Sequence, residues 1–430
     1  MKEDIKETRL DNGMVVLTDG MPQVRSATLG FFFRVGARHE PRPLHGMTHF
    51  VEHAVFKGTT RRSALDIAIE QDRLGGDLDA FTTHEETGFA VKVIDEQLPQ
   101  AFDLMADMLS SPLFAEADLE SEQRVIIEEM KMIDDSPEDF LGEIFSAAFF
   151  PDHPLGMPIP GTPESVRTFD RERTLKYHEE NFTASNLVIA AAGNVGHDQM
   201  CHLAQSFAKN HPVGETPPPR SSRKEGSLGP TTAAPILVKQ KPDLEQAHLI
   251  IAVPFVSTVD QRRYAADLLE SILGGGMSSR LWQKVREERG LAYNVGASNV
   301  MYQDCGVFSV FAATSPDQVA EVVDLSIAEL RSIVTDGVTS DELELAKQAS
   351  RALILLSLED SASRAAALAQ SEMTHGRQIP VEETLAKIDA VTVDDCREVA
   401  NEFFKTENVA FAALGDLENL HIERDRLKIR

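Results

Sequence analysis

Two pairs of segments recur along the chain at almost the same spacing, and this repetition is the strongest constraint on its fold. Residues 182–194, FTASNLVIAAAGN, match residues 404–416, FKTENVAFAALGD, at an offset of 222. Residues 27–35 and 247–255 match at an offset of 220, and both are rich in the residues typical of strands. Two matches at nearly one offset predict an internal duplication of a unit of roughly 210 residues.

A segment without apolar periodicity separates the two copies. It runs from Pro212 to Pro235 and contains three consecutive prolines, a composition typical of a linker. We therefore predict an N-terminal domain of residues 1–212, a linker of residues 213–235 and a C-terminal domain of residues 236–430. Because β-rich runs and long amphipathic helices recur in each copy, we expect an α+β fold. It should consist of two homologous α/β sandwich domains, each a mainly antiparallel sheet covered by helices.

The chain is strongly acidic, with 69 Asp and Glu against 42 Lys and Arg and a formal net charge of −27. This charge repels a phosphate backbone or an anionic membrane surface, so we expect no nucleic-acid and no membrane partner. The N-terminus is polar from the start, and no apolar run reaches membrane-spanning length, which predicts a cytoplasmic protein. The three cysteines lack the paired spacing of a disulfide framework or a thiolate metal site.

The clearest chemical motif is HFVEH at residues 49–53. On a helix His49 and His53 project from one face, where two imidazoles can bind one zinc ion, and Glu52 lies beside them. A carboxylate so placed can deprotonate a water molecule that the ion activates. His45 extends the stripe but lies roughly 12 Å from His53 along a helix, too far to share the ion. The motif is a known metalloprotease signature, although polar residues that only cover a helix face would give the same pattern.

A catalytic zinc site needs a third protein ligand, and the helical pattern of residues 119–133 offers one. Its apolar face comprises Leu119, Ile126, Met130 and Ile133. Glu122 and Glu129 fall on the edge of that face, whereas Glu128 points away from it. A carboxylate directed toward a core is costly unless a cation compensates it, so Glu129 is the candidate ligand. The alternative for Glu129 is a border residue that reaches solvent.

These motifs resemble those of the pitrilysin/insulinase-type zinc metallopeptidases, most closely the branch related to mitochondrial processing peptidase and its bacterial relatives. The resemblance covers nearly the whole chain. It implies that His49, His53 and Glu129 bind one zinc ion per chain. It also implies that Glu52 acts as the base and that Glu122 supports the site.

The stretch GGDLDAFTTHEET, residues 75–87, is similar to the family's Gly-Gly-x-x-Asn-Ala-x-Thr pattern, a strand edge that hydrogen-bonds extended substrate. The resemblance therefore implies that Asp79, Ala80, Phe81 and Thr82 bind the peptide. Asp79 stands where the family usually has Asn, and a carboxylate cannot donate a hydrogen bond as an amide can. An ordinary turn with solvated charges is the alternative for the acidic side chains.

In the second copy, glycines at 274–276 precede a helical pattern that ends at Gly290. A phosphate-binding loop is rejected because the Lys-Ser/Thr pair that would complete it is absent. The resemblance instead implies that Arg286 and Tyr293 bind the substrate backbone and stabilise the tetrahedral intermediate. The second copy has no counterparts of the metal ligands, so we expect its domain to lack metal.

The resemblance predicts a zinc-dependent endopeptidase that hydrolyses short or unfolded peptides, including basic or targeting-type segments, in a closed chamber. It also implies a homodimer, or a heterodimer with a paralogous subunit. The alternative is a non-catalytic scaffold or binding subunit of the same fold, paired with an active paralogue. The presence of every ligand and of the base favours the enzyme.

Overall fold

The computed structural model describes residues 3–76, 78–209 and 230–430. Residues 213–229 of the predicted linker, and Asp77, lie outside the described residues. The strands are β1 Ile5–Arg9, β2 Val15–Gly20, β3 Ser26–Phe33, β4 Leu78–Thr82, β5 Thr87–Ile94, β6 Leu187–Gly193, β7 Ile236–Gln240, β8 Ala247–Phe255, β9 Ala292–Met301, β10 Gly306–Thr314 and β11 Ala410–Gly415. The helices are α1 Met47–Ala54, α2 Ala64–Leu74, α3 Leu98–Ser110, α4 Glu116–Asp135, α5 Pro137–Phe149, α6 Pro163–Val166, α7 Arg171–Asn181, α8 His197–Ala208, α9 Arg263–Gly274, α10 Val319–Thr335, α11 Ser340–Ser357, α12 Ser361–His375, α13 Val381–Ala390 and α14 Val393–Phe403.

The strands form two sheets, with the orders β1-β2-β6-β3-β5-β4 and β7-β11-β8-β10-β9. Each sheet has one parallel pair, β2 with β6 and β7 with β11, and its other pairs are antiparallel. The repeated segments of the sequence form β3 and β8, and β6 and β11, which hold equivalent positions in the two sheets. The predicted mainly antiparallel α+β architecture and its duplication are confirmed.

The described residues fall into two compact units, and neither is continuous in sequence. The first comprises residues 3–132 without 77, together with 157–209 and 354–380. The second comprises residues 133–156, 230–353 and 381–430. The units therefore differ from the predicted domains by two segments, which contain α5 and α12. Helix α5 follows α4 in the first copy of the repeat, and α12 follows α11 in the second copy. Each of the two helices belongs to the compact unit formed mainly by the other copy. Because the exchanged segments correspond to each other, the repeat in the sequence does not reveal the exchange.

In the first unit α12 covers one face of the sheet. Val188 and Ala190 of β6 pack with Leu368 and Ala369 of α12, while the alternate residues of β6 face the main core. Since both faces of this central strand are buried, its sequence is a continuous apolar run. In the second unit α5 packs its Phe145 and Phe149 with residues of β8 and β11.

The main core of the first unit lies on the opposite face of its sheet and includes apolar residues of α1, α3, α4, α7 and α8. Helix α1 contacts the edge strand β4 and α7. This packing brings the motif of residues 49–53 to the edge of the sheet. Within the part of the chain that is described, no helix is both long enough and apolar enough to span a bilayer.

Candidate metal centre

Helix α1 carries both histidines of the motif. His49 and His53 are one turn apart, and their ring centroids are separated by 4.6 Å. The helix begins after Gly46, whose φ of 93° places it in the left-handed region. A Cβ atom at Gly46 would lie 2.5 Å from the carbonyl oxygen of Pro160, so this close approach requires glycine.

Helix α4 brings Glu129 to the two imidazoles. Its Oε2 atom lies 3.7 Å from Nε2 of His49 and 3.7 Å from Nε2 of His53. One ligand atom from each residue lies within 4.8 Å of the other two. Glu128 points elsewhere and pairs with Lys131 on the exposed surface. The predicted distinction between the two neighbouring glutamates is therefore seen in the structure.

The donor set fits a zinc ion. Zinc binds nitrogen and oxygen ligands at about 2.0–2.2 Å, so ligand atoms around a tetrahedral ion are about 3.3 Å apart. Oε2 of Glu129 is buried and has no hydrogen-bond partner among the described residues, although it faces both imidazoles. A shared cation would satisfy this orphaned oxygen, and two imidazoles with one carboxylate leave a fourth position open.

The two histidines differ in the hydrogen-bond partner of Nδ1, the ring nitrogen that faces away from Glu129. Nδ1 of His53 lies 3.3 Å from Glu122, which also forms a 2.7 Å ion pair with Lys57. Burial alone would raise the pKa of Glu122, but the contacts with His53 and Lys57 hold this pKa below its ordinary value. Nδ1 of His49 is buried and has no partner in the described part of the chain. Glu122 thus lies within reach of the imidazole that the resemblance implies it supports.

Burial also shifts the pKa values of His49 and Glu52. It lowers the pKa of His49 to about 3, with a further contribution from His53, so His49 is neutral and able to bind a metal at neutral pH. Burial raises the pKa of Glu52, although a hydrogen bond from Thr82 opposes this shift.

Thr82, at the end of β4, donates its hydroxyl hydrogen to Oε2 of Glu52 over 2.6 Å. The sequence pattern predicted Thr82 as a substrate-binding residue and gave no sign of this contact, because the pair is separated by 30 residues. Lys57 was missed for the same reason, since it acts through Glu122 on another helix. Neither contact leaves a spacing signal in the sequence.

Strand β4 is the last strand of its sheet and pairs only with β5 among the described strands. Its predicted substrate-binding residues alternate in direction: Ala80 packs against the main core, whereas Asp79 and Phe81 are exposed on the other face. Strand β4 therefore presents an edge beside the candidate metal ligands.

Arg286 and Tyr293 belong to the second unit. Arg286 lies on a short helix, Trp282–Glu287, and Tyr293 lies on β9. The guanidinium of Arg286 is 4.0 Å from the ring centroid of Trp282 and 4.3 Å from that of Tyr293, and it donates a hydrogen bond to the Tyr293 carbonyl. The Tyr293 residue is 78% exposed.

Comparison with known proteins agrees with this site. A family profile described as the insulinase peptidase family M16 matches residues 15–163, and one described as the peptidase M16 inactive domain matches residues 168–350. An uncharacterized zinc protease of Mycobacterium leprae is 40% identical over 397 residues, which cover 92% of this chain and 88% of the relative. The chain belongs to peptidase family M16. The predicted membership of the insulinase-type family is confirmed, and the metal-binding candidates all lie in the first matched segment.

One further relative and two solved structures also match this chain over most of its length. An uncharacterized zinc protease of Bacillus subtilis is 33% identical over 416 residues, covering 97% of this chain and 99% of the relative. The crystal structure of a protease from Helicobacter pylori matches with a TM-score of 0.86 and 22% identity, covering 96% of this chain and 99% of that one. A structure titled peptidase M16 inactive domain, from Pseudomonas fluorescens, matches with a TM-score of 0.87 and 19% identity, covering 96% and 98%. At these identities the two structures show the M16 fold alone.

Proposed function

We propose that this chain is a zinc-dependent endopeptidase that hydrolyses short or unfolded peptides. The observation that carries the proposal is the buried Oε2 atom of Glu129, which has no hydrogen-bond partner among the described residues and lies 3.7 Å from Nε2 of both His49 and His53. Three ligand atoms converge there beside a buried carboxylate, Glu52. Relatives named zinc proteases, at 33–40% identity, support the same chemistry.

In this proposal His49, His53 and Glu129 hold one zinc ion per chain. When bound, the ion supplies a Lewis acid that polarises the scissile carbonyl and makes a water molecule more acidic. Glu122 accepts a hydrogen bond from Nδ1 of His53 and so orients that imidazole toward the ion.

Glu52 is the proposed general base. Its carboxylate takes a proton from the attacking water and passes it to the leaving nitrogen when the peptide bond breaks. The hydroxyl of Thr82 binds one carboxylate oxygen, which restricts the rotation of the side chain and leaves the other oxygen for the proton. Because the Glu52 carboxylate is already held in one orientation, the reaction does not have to pay the conformational entropy of orienting it.

The peptide is proposed to pair with the free edge of β4, along Asp79, Ala80, Phe81 and Thr82. Strand addition reads the substrate through its backbone, so the substrate has to be extended over several residues. Folded proteins present few such segments. Because the Thr82 hydroxyl is bound to Glu52, we expect Thr82 to contribute to peptide binding through its backbone.

Arg286 and Tyr293 are proposed to bind the substrate backbone and stabilise negative charge on the carbonyl oxygen. The contacts of the Arg286 guanidinium with two aromatic rings support this role, because they restrict its position before substrate arrives. The exposed phenol of Tyr293 remains available as a hydrogen-bond donor.

We further propose that the active form is a homodimer, or a heterodimer with a paralogous subunit, that encloses its peptide substrate in the cytoplasm. The net charge of −27 favours basic peptides, including targeting-type segments. Sedimentation at micromolar concentration should show a species of about twice the chain mass of 47.4 kDa, and a purely monomeric protein would contradict the dimer.

The test is cleavage of a quenched, unstructured peptide by the zinc-loaded protein, before and after a chelator removes the metal. We expect cleavage that the chelator abolishes and added zinc restores. The same peptide sequence, inserted into a stable folded domain, should resist cleavage and serves as the substrate control.

A non-catalytic scaffold or binding subunit is the second candidate. The description of the profile that matches residues 168–350, an inactive domain, favours this role for the second half. If the zinc-loaded protein binds peptides but cuts none, in the presence or absence of a paralogue, the scaffold replaces the enzyme.

A further inference from the structure

We propose that Glu40 is a positioning residue for the metal-binding helix, because its carboxylate fixes the first turn of α1 and with it the imidazole of His49. This inference rests on the proposed zinc site and adds a residue that the site's own motif does not contain. It concerns the placement of one ligand before metal binds.

The first turn of a helix leaves backbone N–H groups without partners inside the helix. The N-cap residue of α1 is Gly46, which has no side chain to accept them. Glu40, six residues earlier, does so: one carboxylate oxygen accepts from the Gly46 N–H at 2.7 Å, and the other accepts from the Thr48 N–H at 2.6 Å. Hydrogen bonds to an ionised acceptor are short and strong, and the positive end of the helix dipole adds to them.

His45 is the third group bound to this carboxylate. Its Nδ1 atom lies 3.1 Å from Oε2 of Glu40, whose side chain is fully buried. Since a carboxylate can only accept, Nδ1 of His45 carries the hydrogen. The sequence placed His45 too far from His53 to share the ion, and the structure shows it before α1, bound to the capping carboxylate. Three donors therefore fix the orientation of the Glu40 carboxylate.

The two metal-binding imidazoles depend on this cap to different extents. His53 has its own support, because Glu122 binds its Nδ1 atom. His49 has no such partner among the described residues, and it is the third residue of the helix. The position of its ring is therefore set by the backbone of the first turn, which Glu40 holds. A second contact, between the hydroxyls of Thr48 and Tyr177 at 2.7 Å, fixes the rotation of the same turn.

Loss of the cap should therefore weaken metal binding in addition to lowering stability. In Glu40→Gln one carboxylate oxygen becomes an NH₂ group, which meets a backbone N–H that needs an acceptor. Mutation of a residue that hydrogen-bonds a metal ligand typically changes metal affinity by about 10- to 100-fold. We expect a change in that range.

The matched control is Asp360→Ala. Asp360 caps another helix of the same unit, α12, by accepting from the backbone N–H of Ser363 at 2.9 Å. Its loss removes a carboxylate cap of the same kind, but α12 carries no metal ligand and packs on the face of the sheet opposite to α1. It should lower the melting temperature and leave zinc affinity unchanged.

The experiment measures the zinc dissociation constant by competition with a chelating dye, and the visible spectrum of the cobalt-substituted full chain. We expect the constant to rise at least about tenfold in Glu40→Gln and to stay within about twofold of wild type in Asp360→Ala. The cobalt spectrum, which reports ligand geometry, should change only in the Glu40 variant. Glu40→Asp keeps the charge but shortens its reach, and it provides a second variant, with an intermediate effect, if the amide disturbs folding.

Two results would overturn the inference. One is a Glu40→Gln protein with wild-type zinc affinity and cobalt spectrum. The other is an equal loss of zinc affinity in Asp360→Ala, which would assign the effect to stability alone. A wild-type chain that binds no zinc at all would instead overturn the proposed function, and the inference with it.

Discussion

Replacement of Arg364 by Met tests how strongly α12 is attached to the sheet of the first unit. Arg364 and Asp19 form a 2.6 Å ion pair, and their side chains are only 2% and 3% exposed. Arg364 also donates to the Leu358 carbonyl at 2.6 Å. The substitution removes the cation and leaves the carboxylate of Asp19 buried without it.

Breaking a buried pair by removal of one partner typically costs about 3–5 kcal/mol, because the remaining charge has lost both water and counter-ion. We expect a decrease of that size in the free energy of unfolding of the first unit. Replacing both partners, as Asp19→Asn with Arg364→Met, leaves no isolated charge and should recover most of the loss.

Urea titration of the full chain provides the measurement. Far-ultraviolet circular dichroism reports both units, whereas fluorescence of the single tryptophan, Trp282, reports the second unit. The control is Lys92→Ala, which breaks an exposed pair with Asp360 at the start of the same helix and should cost less than about 1 kcal/mol. If Arg364→Met costs no more than Lys92→Ala, the buried pair does not hold α12 on the sheet.

Three further predictions concern residues near the candidate site. Glu129→Gln should lose bound zinc, measured by metal analysis after gel filtration, whereas Glu128→Gln should retain it because that side chain pairs with Lys131 on the surface. Thr82→Val should lower kcat about tenfold or more with little change in KM, while Thr82→Ser should retain the wild-type rate, since a hydrogen bond to an ionised group contributes about 1.5–3 kcal/mol. Burial and the nearby Glu85 raise the pKa of Glu86 to about 7, so its stabilising contribution is present below about pH 4.5 and is lost as the pH rises through 7. Glu86→Gln should flatten that part of the stability profile in urea titrations, and an unchanged profile would show that Glu86 titrates normally.

The metal-binding candidates could be predicted from the sequence because helix geometry relates them. His49 and His53 share a face at a spacing of four, and the apolar pattern of α4 places Glu122 and Glu129 at the border of a buried face. Each of these two inferences depends only on the spacing of residues within a single helix. The pairing of the two helices came from family resemblance, and the structure brings their side chains together as that resemblance implied.

Contacts between distant segments could not be predicted in this way. The exchange of α5 and α12 preserves the internal repeat, so the repeat predicted the number of units but not their membership. Glu40 and Thr82 act on α1 from a preceding loop and from an edge strand, and no periodicity connects them to the helix. Their roles depend on three-dimensional packing, which a single sequence pattern does not encode.

The most direct test of the central claim compares wild type with Glu52→Gln, each carrying an equal, measured amount of zinc. The amide keeps the shape of the side chain but cannot accept the proton of the attacking water. Cleavage of a quenched, unstructured peptide should fall by about 10²- to 10⁴-fold in the variant, while zinc content and peptide binding stay at wild-type levels. A Glu52→Gln protein that cuts the peptide at the wild-type rate would contradict the account.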